Sequence, residues 1–435
     1  MSRKTSIATT SLETLQWFIF LLASSVAMPI VIGSIFDMSV VEISGLMQRT
    51  LFVVGLASLL QGIIGHRLPI MEGPAGIWIS VFSVMAITGV RGGNTLTETL
   101  QTLEAAMFFT GLFLVIFGLL KISSKILPIF TPLVTGTFFL LLTVQLSGTF
   151  LKGMLIQADA NTIYLPGAII AFITFFIVLA LSAFGKGTLR SYAVLIGIIF
   201  GWINYLIFIG GNNLQTNSAV FTFPKIFAFG KPTFDLSVIP IAFITAIILI
   251  SNMVASIVAM NQTLGNNAKL DNHQVNSGTI FSGISHGFAG LFSTVANVPL
   301  ATSSGFIGLT GQKRKQPFIY ANIILILIAF FPPIISFISS IPSPVANAAL
   351  MASFVQLVGL AINNLTITPL DSRKVTILGT SYLIGMGTMF LPTEAFSDLP
   401  TIVQNVMSNG LLVGTALVIL MEQIWREKTS IVEYK

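Results

Sequence analysis

Glu72 is the residue whose chemistry is hardest to place. It lies in Arg67-Leu68-Pro69-Ile70-Met71-Glu72-Gly73-Pro74-Ala75-Gly76, between the apolar runs Leu51 to Ile64 and Ile77 to Val90. Each run reads as a membrane helix. A carboxylate at membrane depth is expensive, and such residues serve function by default. Glu72 can exchange a proton during a cycle or hold a polar ligand; the alternative is a structural ion pair with Arg67 or another base at the cytoplasmic edge. The prolines and glycines around it interrupt a helix. Interrupted helices at bilayer depth are where transporters build their sites. A second broken stretch, Asn297-Val298-Pro299-Leu300-Ala301-Thr302-Ser303-Ser304-Gly305, sets three hydroxyls beside a proline and a glycine. Those hydroxyls are either site groups or ordinary membrane packing positions.

Other chemistry is thinly represented. The chain has no cysteine, which excludes thiol catalysis and disulfides. His66, His273 and His286 are too scattered for a metal cluster, and His286 reads as a satisfied structural histidine. Paired acids, a Ser/His arrangement and a phosphate-binding glycine loop are all missing, so no enzyme or ATP-driven pump is expected. No cofactor is implied.

The elements that must position these residues are membrane spans. Of 435 residues, 54% are hydrophobic and 8% charged, against about 25% charged in soluble domains. Windows of about 20 apolar residues fall at 15–36, 43–64, 70–88, 104–122, 128–150, 164–184, 190–209, 236–258, 275–296, 299–311, 317–340, 344–363, 374–392 and 408–425, which is fourteen. With the N-terminus inside and the spans alternating, sixteen basic residues fall inside and five, Arg49 among them, outside. That is the positive-inside asymmetry, and it puts both termini in the cytoplasm of a plasma-membrane protein. The net charge of +6 therefore reports topology, not nucleic acid. Lys313-Arg314-Lys315 is a topology anchor of this kind.

The longest loop, 210–235, divides the spans seven and seven. An odd number per half inverts the halves in the membrane. The broken spans are then number three of each half, with Pro69-x-x-Glu72 laid beside Pro299-x-x-Thr302. Broken segments at matching places mark a transporter's site.

Several stretches together resemble the nucleobase–ascorbate transporter family, the nucleobase–cation symporters for uracil, xanthine and uric acid. They are Leu15-Gln16-Trp17 with Met28-Pro29-Ile30 and Gly33, Gly55-Leu56-Ala57-Ser58-Leu59-Leu60-Gln61, Arg67-Leu68-Pro69-Ile70 and Leu127-Pro128 with Pro132-Leu133-Val134-Thr135-Gly136. Further along come Ala289-Gly290-Leu291-Phe292, Ile341-Pro342-Ser343-Pro344-Val345 and Gly385-Met386-Gly387. The resemblance implies an all-α polytopic fold of fourteen segments in seven-plus-seven inverted repeats, with spans three and ten each an extended stretch plus a half-helix. Core-domain spans fall in 15–122 and 236–340 and gate-domain spans in 123–209 and 341–425, flanked by cytoplasmic ends 1–14 and 426–435. It implies uptake of a purine or pyrimidine base between the two half-helices, coupled to a proton, or to sodium in its place, and a homodimer through the gate domain.

The departures fall on the chemistry. Asn252 and Ser256 stand where the family has a span-eight Glu and a His or small residue. Gly305-Phe306-Ile307-Gly308 replaces a polar span-ten signature, Ser282 replaces a span-nine acid and Trp17 a span-one His. A flat base needs an apolar wall and a few oriented polar groups. The candidates are Glu72, Gly73, Ala75, Gly76, Trp78, Asn252, Ser256, Thr302, Ser303, Ser304, Gly305 and Phe306, with Glu72 also the proton-coupling group. Phe82 is a further wall candidate, and Asn252 is otherwise interhelical glue. A sulfate-permease-like anion transporter of the same architecture, and a membrane sensor that transports nothing, are the alternative readings.

Overall fold

The computed structural model describes residues 7–74, 76–91, 93–122, 131–156, 162–210, 219–265, 271–396 and 409–425, with Lys125, Ile129, Leu399, Val403 and Met407 between them. Ala75 and the tail 426–435 lie outside the described residues.

Helix starts follow local capping chemistry. Ser39 and Glu42 cap each other's backbone at the start of α2 (Val40–Ile63), after α1 (Ile7–Ile35). Thr95 and Glu98 do the same for α4 (Leu96–Leu119). The fourth span thus begins at Leu96 and not at 104, which puts Glu104 inside a membrane helix. Between α2 and α4, Pro69, Gly73 and Pro74 prevent a continuous helix, and the chain forms β1 (Glu72–Pro74) and the half-helix α3 (Gly76–Arg91).

The chain continues through α5 (Pro132–Leu155), α6 (Leu165–Phe184), α7 (Ala193–Phe208), α8 (Ile239–Leu264) and α9 (Asn272–Leu291). β2 (Asn297–Pro299) and the half-helix α10 (Thr302–Thr310) follow. The expected span 317–340 is not one helix: α11 (Lys315–Ile328) and α12 (Pro332–Ser339) meet at 96°. Pro332 and Pro333 remove two N–H donors at that point, which is why the helix bends. α13 (Ser343–Leu365), α14 (Ser372–Phe390) and α15 (Gly410–Ile424) complete the fold.

Among the described residues seven helices are long and apolar enough to cross a membrane, and the bent pair α11–α12 makes an eighth. α9 is less apolar because its faces pack on α2, α4, α8 and β2. Ser282, Ser285 and His286 are buried there against protein.

β1 and β2 pair antiparallel, with Glu72 opposite Pro299, Gly73 opposite Val298 and Pro74 opposite Asn297. Neither strand could stand in lipid alone, because its free backbone groups would have no partner. The helix packing repeats between halves. α1 packs on α11 as α8 packs on α4, and α2 on α11 as α9 on α4. α6 packs on α7 as α14 does on α15. The two-fold relation equates Glu72-Gly73-Pro74 with Asn297-Val298-Pro299. Pro74, not Pro69, therefore matches Pro299, and the position expected for Thr302 is held by Asn297.

Two packing groups result. α1, α2, α8 and α9 pack on the crossed strands, and α4 and α11 pack on those helices; α5, α6, α7, α13, α14 and α15 pack mainly on one another. α4 and α9 approach closely where a Cβ on Gly111 would lie 2.6 Å from the Gly283 carbonyl oxygen.

Candidate functional site

At the crossing, side chains replace the hydrogen bonds that the breaks removed. Met71 N–H donates to Ser303 Oγ at 3.0 Å, and Leu300 N–H donates to the Met71 carbonyl at 2.8 Å. Glu72 N–H donates to Ser58 Oγ at 2.8 Å. The Pro299 carbonyl accepts from Asn252 Nδ2 at 3.1 Å and from Ser256 Oγ at 2.9 Å. Ser303, Asn252 and Ser256 thus all bind main chain at the two breaks. Ser256 and Ser303 are buried, whereas Asn252 is half-buried.

The Glu72 carboxylate is fully buried, and its nearest ionisable neighbour is His66, with Nε2 3.6 Å from Oε1. Neither carboxylate oxygen has a hydrogen-bond partner among the described residues, nor does His66 Nε2. His66 Nδ1 accepts from Leu68 N–H at 3.0 Å. The ring proton is therefore on Nε2, the nitrogen 3.6 Å from the Glu72 carboxylate. Gln61 braces the turn: its Oε1 accepts from His66 N–H at 3.3 Å, and its Nε2 donates to the Gly278 carbonyl at 2.8 Å. Arg67, the base expected beside Glu72, is exposed with φ 62°. That left-handed turn sends Arg67 outward and His66 inward.

The remaining candidates separate into open and packed positions. Thr302, Gly305 and Gly308 are exposed at a spacing of three and form one face of α10. A Cβ at Gly305 would meet open space. Ser304 Oγ donates back to the Ala301 carbonyl at 2.6 Å, and α10 begins without a side-chain cap. Gly76, at the start of α3, faces the other group: a Cβ there would lie 2.9 Å from Phe354 Cζ of α13. Gly73 is tighter, 2.5 Å from Leu300 Cδ1.

Trp78 and Phe306 sit in the packed interior. Trp78 Nε1–H donates to His286 Nε2 at 3.1 Å, and His286 Nδ1–H donates to the Ser282 carbonyl at 2.8 Å. His286 is thus a satisfied structural histidine. Phe306 stacks on Phe20 at 4.7 Å and meets Trp17 at 4.5 Å, while Phe82 packs edge-on against Phe36.

Two buried polar sets escaped sequence reasoning besides His66. Asn297 is fully buried with neither amide atom partnered, at the position equivalent to Glu72. Laying Pro74 on Pro299 would have found it. Glu104 accepts a hydrogen bond from Ser293 Oγ, and Arg49 Nε donates to the Ser293 carbonyl at 3.1 Å. Arg49, expected in an outer connection, is buried inside α2. The Thr95-x-x-Glu98 capping box carried the signal for Glu104.

Residues 8–394 match the family model described as "Permease family", Xan_ur_permease. The Bacillus subtilis (strain 168) protein YwdJ, provisionally named a purine permease, is 30% identical over 96% of this chain and 97% of its own. The xanthine permease of Bacillus subtilis (strain 168) is 24% identical over 94% of this chain and 92% of its own. The Escherichia coli (strain K12) uric acid transporter UacT is 25% identical over 94% of this chain and 84% of its own. Among solved structures, the transmembrane domain of the cyanobacterial bicarbonate transporter BicA superposes with a TM-score of 0.65 at 15% identity, over 92% of this chain and 97% of that one. The murine anion transporter Slc26a9, in its inward-facing state, gives 0.62 at 12% identity, over 98% of this chain and 69% of that one. These structures share the inverted-repeat fold.

Proposed function

The chain belongs to the permease family that its residues 8–394 match, and on that premise we propose that it is a secondary-active importer of a purine nucleobase, driven by protons. The full-length similarity to proteins named for purine, uric acid and xanthine transport carries this reading. The similarity to anion transporters lies at sequence identities where fold alone is shared, so it lends no weight to an anion substrate.

The geometry is compatible with a flat base. The open face of α10 is lined by Thr302, Gly305 and Gly308, small residues that let a ring approach the backbone. α10 begins without a side-chain cap, and the positive end of its dipole can favour ring carbonyls placed there. Asn252 Oδ1 can accept from a ring N–H. Alternating access would come from the first packing group, a core domain, moving against the second, a gate domain. In this reading both termini are cytoplasmic, the membrane is the plasma membrane, and Glu72 carries the coupling proton.

The test is uptake of labelled xanthine and uric acid by proteoliposomes, with competition by a panel of bases, sulfate and bicarbonate, with and without a protonophore. Bases compete and the protonophore abolishes accumulation. Inhibition by the anions alone would remove the proposal. Glu72→Gln loses proton-driven accumulation while equilibrium exchange of substrate persists; an unchanged pH profile of uptake in that variant would take Glu72 out of the coupling step.

A further inference from the structure

We propose that His66 is the positioning residue for Glu72, a fixed neutral donor that holds the buried carboxylate ready to exchange its proton. This rests on the transport reading above for its purpose, though not for its geometry. Both side chains have no exposed surface, and His66 Nε2 is 3.6 Å from Glu72 Oε1. His66 cannot relay a proton while Nδ1 accepts from Leu68 N–H, because a second ring proton would break that 3.0 Å bond. The proton that moves is therefore the one on the Glu72 carboxyl. When Glu72 releases it, Nε2–H donates to the charged oxygen and the contact shortens; when Glu72 takes it back, that bond weakens and the pair relaxes to the separation seen.

The elements around the pair supply few competing charges. α2 contributes Ser58, engaged by the Glu72 backbone, and Gln61, engaged by His66 N–H and the Gly278 carbonyl of α9. α10 contributes Ser303, engaged by Met71 N–H. Lys315, at the start of α11, is exposed. Arg67 points outward.

The pair is also tied mechanically to the open face. Glu72 sits opposite Pro299 in the ladder, and the Pro299 carbonyl holds Asn252. One rung separates the acid from a residue proposed to face substrate. A change in the Glu72 contact is therefore transmitted by backbone and not by direct touch between proton and base.

Infrared pH titration of purified protein in lipid vesicles tests this without requiring transport. The protonated-carboxyl band that Glu72→Gln abolishes reports Glu72. Without the Nε2–H donor the charged form cannot gain the ring hydrogen bond proposed for it, so His66→Leu moves the band's midpoint about one pH unit alkaline. His66→Gln, which restores an N–H donor, returns it toward wild type. A midpoint unmoved in folded His66→Leu would overturn the proposal. Should His66→Leu fail to fold, nitrogen NMR of the wild-type histidine rings decides: His66 is neutral with its proton on Nε2, and a protonated ring or an Nδ1–H tautomer sinks the idea. A wild-type protein that takes up no base, together with a shifted midpoint in His66→Leu, would refute the transport reading and leave the pair standing.

Discussion

Asn252 has two ends with different tasks. Its Nδ2 holds the Pro299 carbonyl, and its Oδ1 is the acceptor proposed for substrate. Ser256 shares the first task only, being buried on the same carbonyl. The two alanine variants should therefore differ in kind. Asn252→Ala raises the KM for xanthine about tenfold, the loss of one hydrogen bond of about 1.4 kcal/mol. Ser256→Ala lowers the melting temperature with KM little changed. Equal effects of both on KM would reduce Asn252 to a strand support. Glu72 was legible as the odd residue because its acid stood between apolar runs. His66 was not, since a single histidine next to an arginine looks like part of a charged loop until the turn at Arg67 is known. Glu104 was hidden by a misplaced helix start alone.

The two broken spans behave as one element. Each strand has three residues, far too few to be stable alone, and its register is set by the other strand and by Ser58, Ser303, Asn252 and Ser256. Helices pack around this crossing by close backbone contact, as at Gly111 on Gly283. A side chain there meets backbone, which cannot move aside. Gly111→Val should therefore lose most folded protein, judged by monodisperse yield and melting temperature in detergent. Gly305→Ala, where a Cβ meets open space, folds as wild type. Normal yield from Gly111→Val would show that α4 and α9 are less tightly apposed than described. Prolines and glycines announced both breaks, and Pro332-Pro333 announced a third that apolar length concealed.

Across the molecule, the two half-helices have unlike surroundings. The start of α3 is closed by Phe354, while the face of α10 bearing Thr302 and Gly305 is open. On the proposed orientation, with the N-terminus in the cytoplasm, α10 would lie in the inner half of the membrane and this arrangement would be an inward-facing one. The natural absence of cysteine makes the test direct. Gly305→Cys should react with a membrane-impermeant maleimide supplied from the cytoplasmic side, and xanthine should protect it. Gly76→Cys should stay unreactive from either side in this state. Labelling of Gly305→Cys only from outside would reverse the assigned orientation.

Apolar run length and the two proline–glycine interruptions are local quantities, and they determined the membrane class and the two places where the spans break. Which proline answers which, that His66 turns toward Glu72 while Arg67 turns away, and that Trp78 and Phe306 face packed interior were decided only by the fold. Those outcomes depend on a two-fold crossing of strands more than two hundred residues apart and on one left-handed turn. Neither leaves a periodic trace in the chain, because buried polar partners are chosen by proximity in space and not by spacing in sequence.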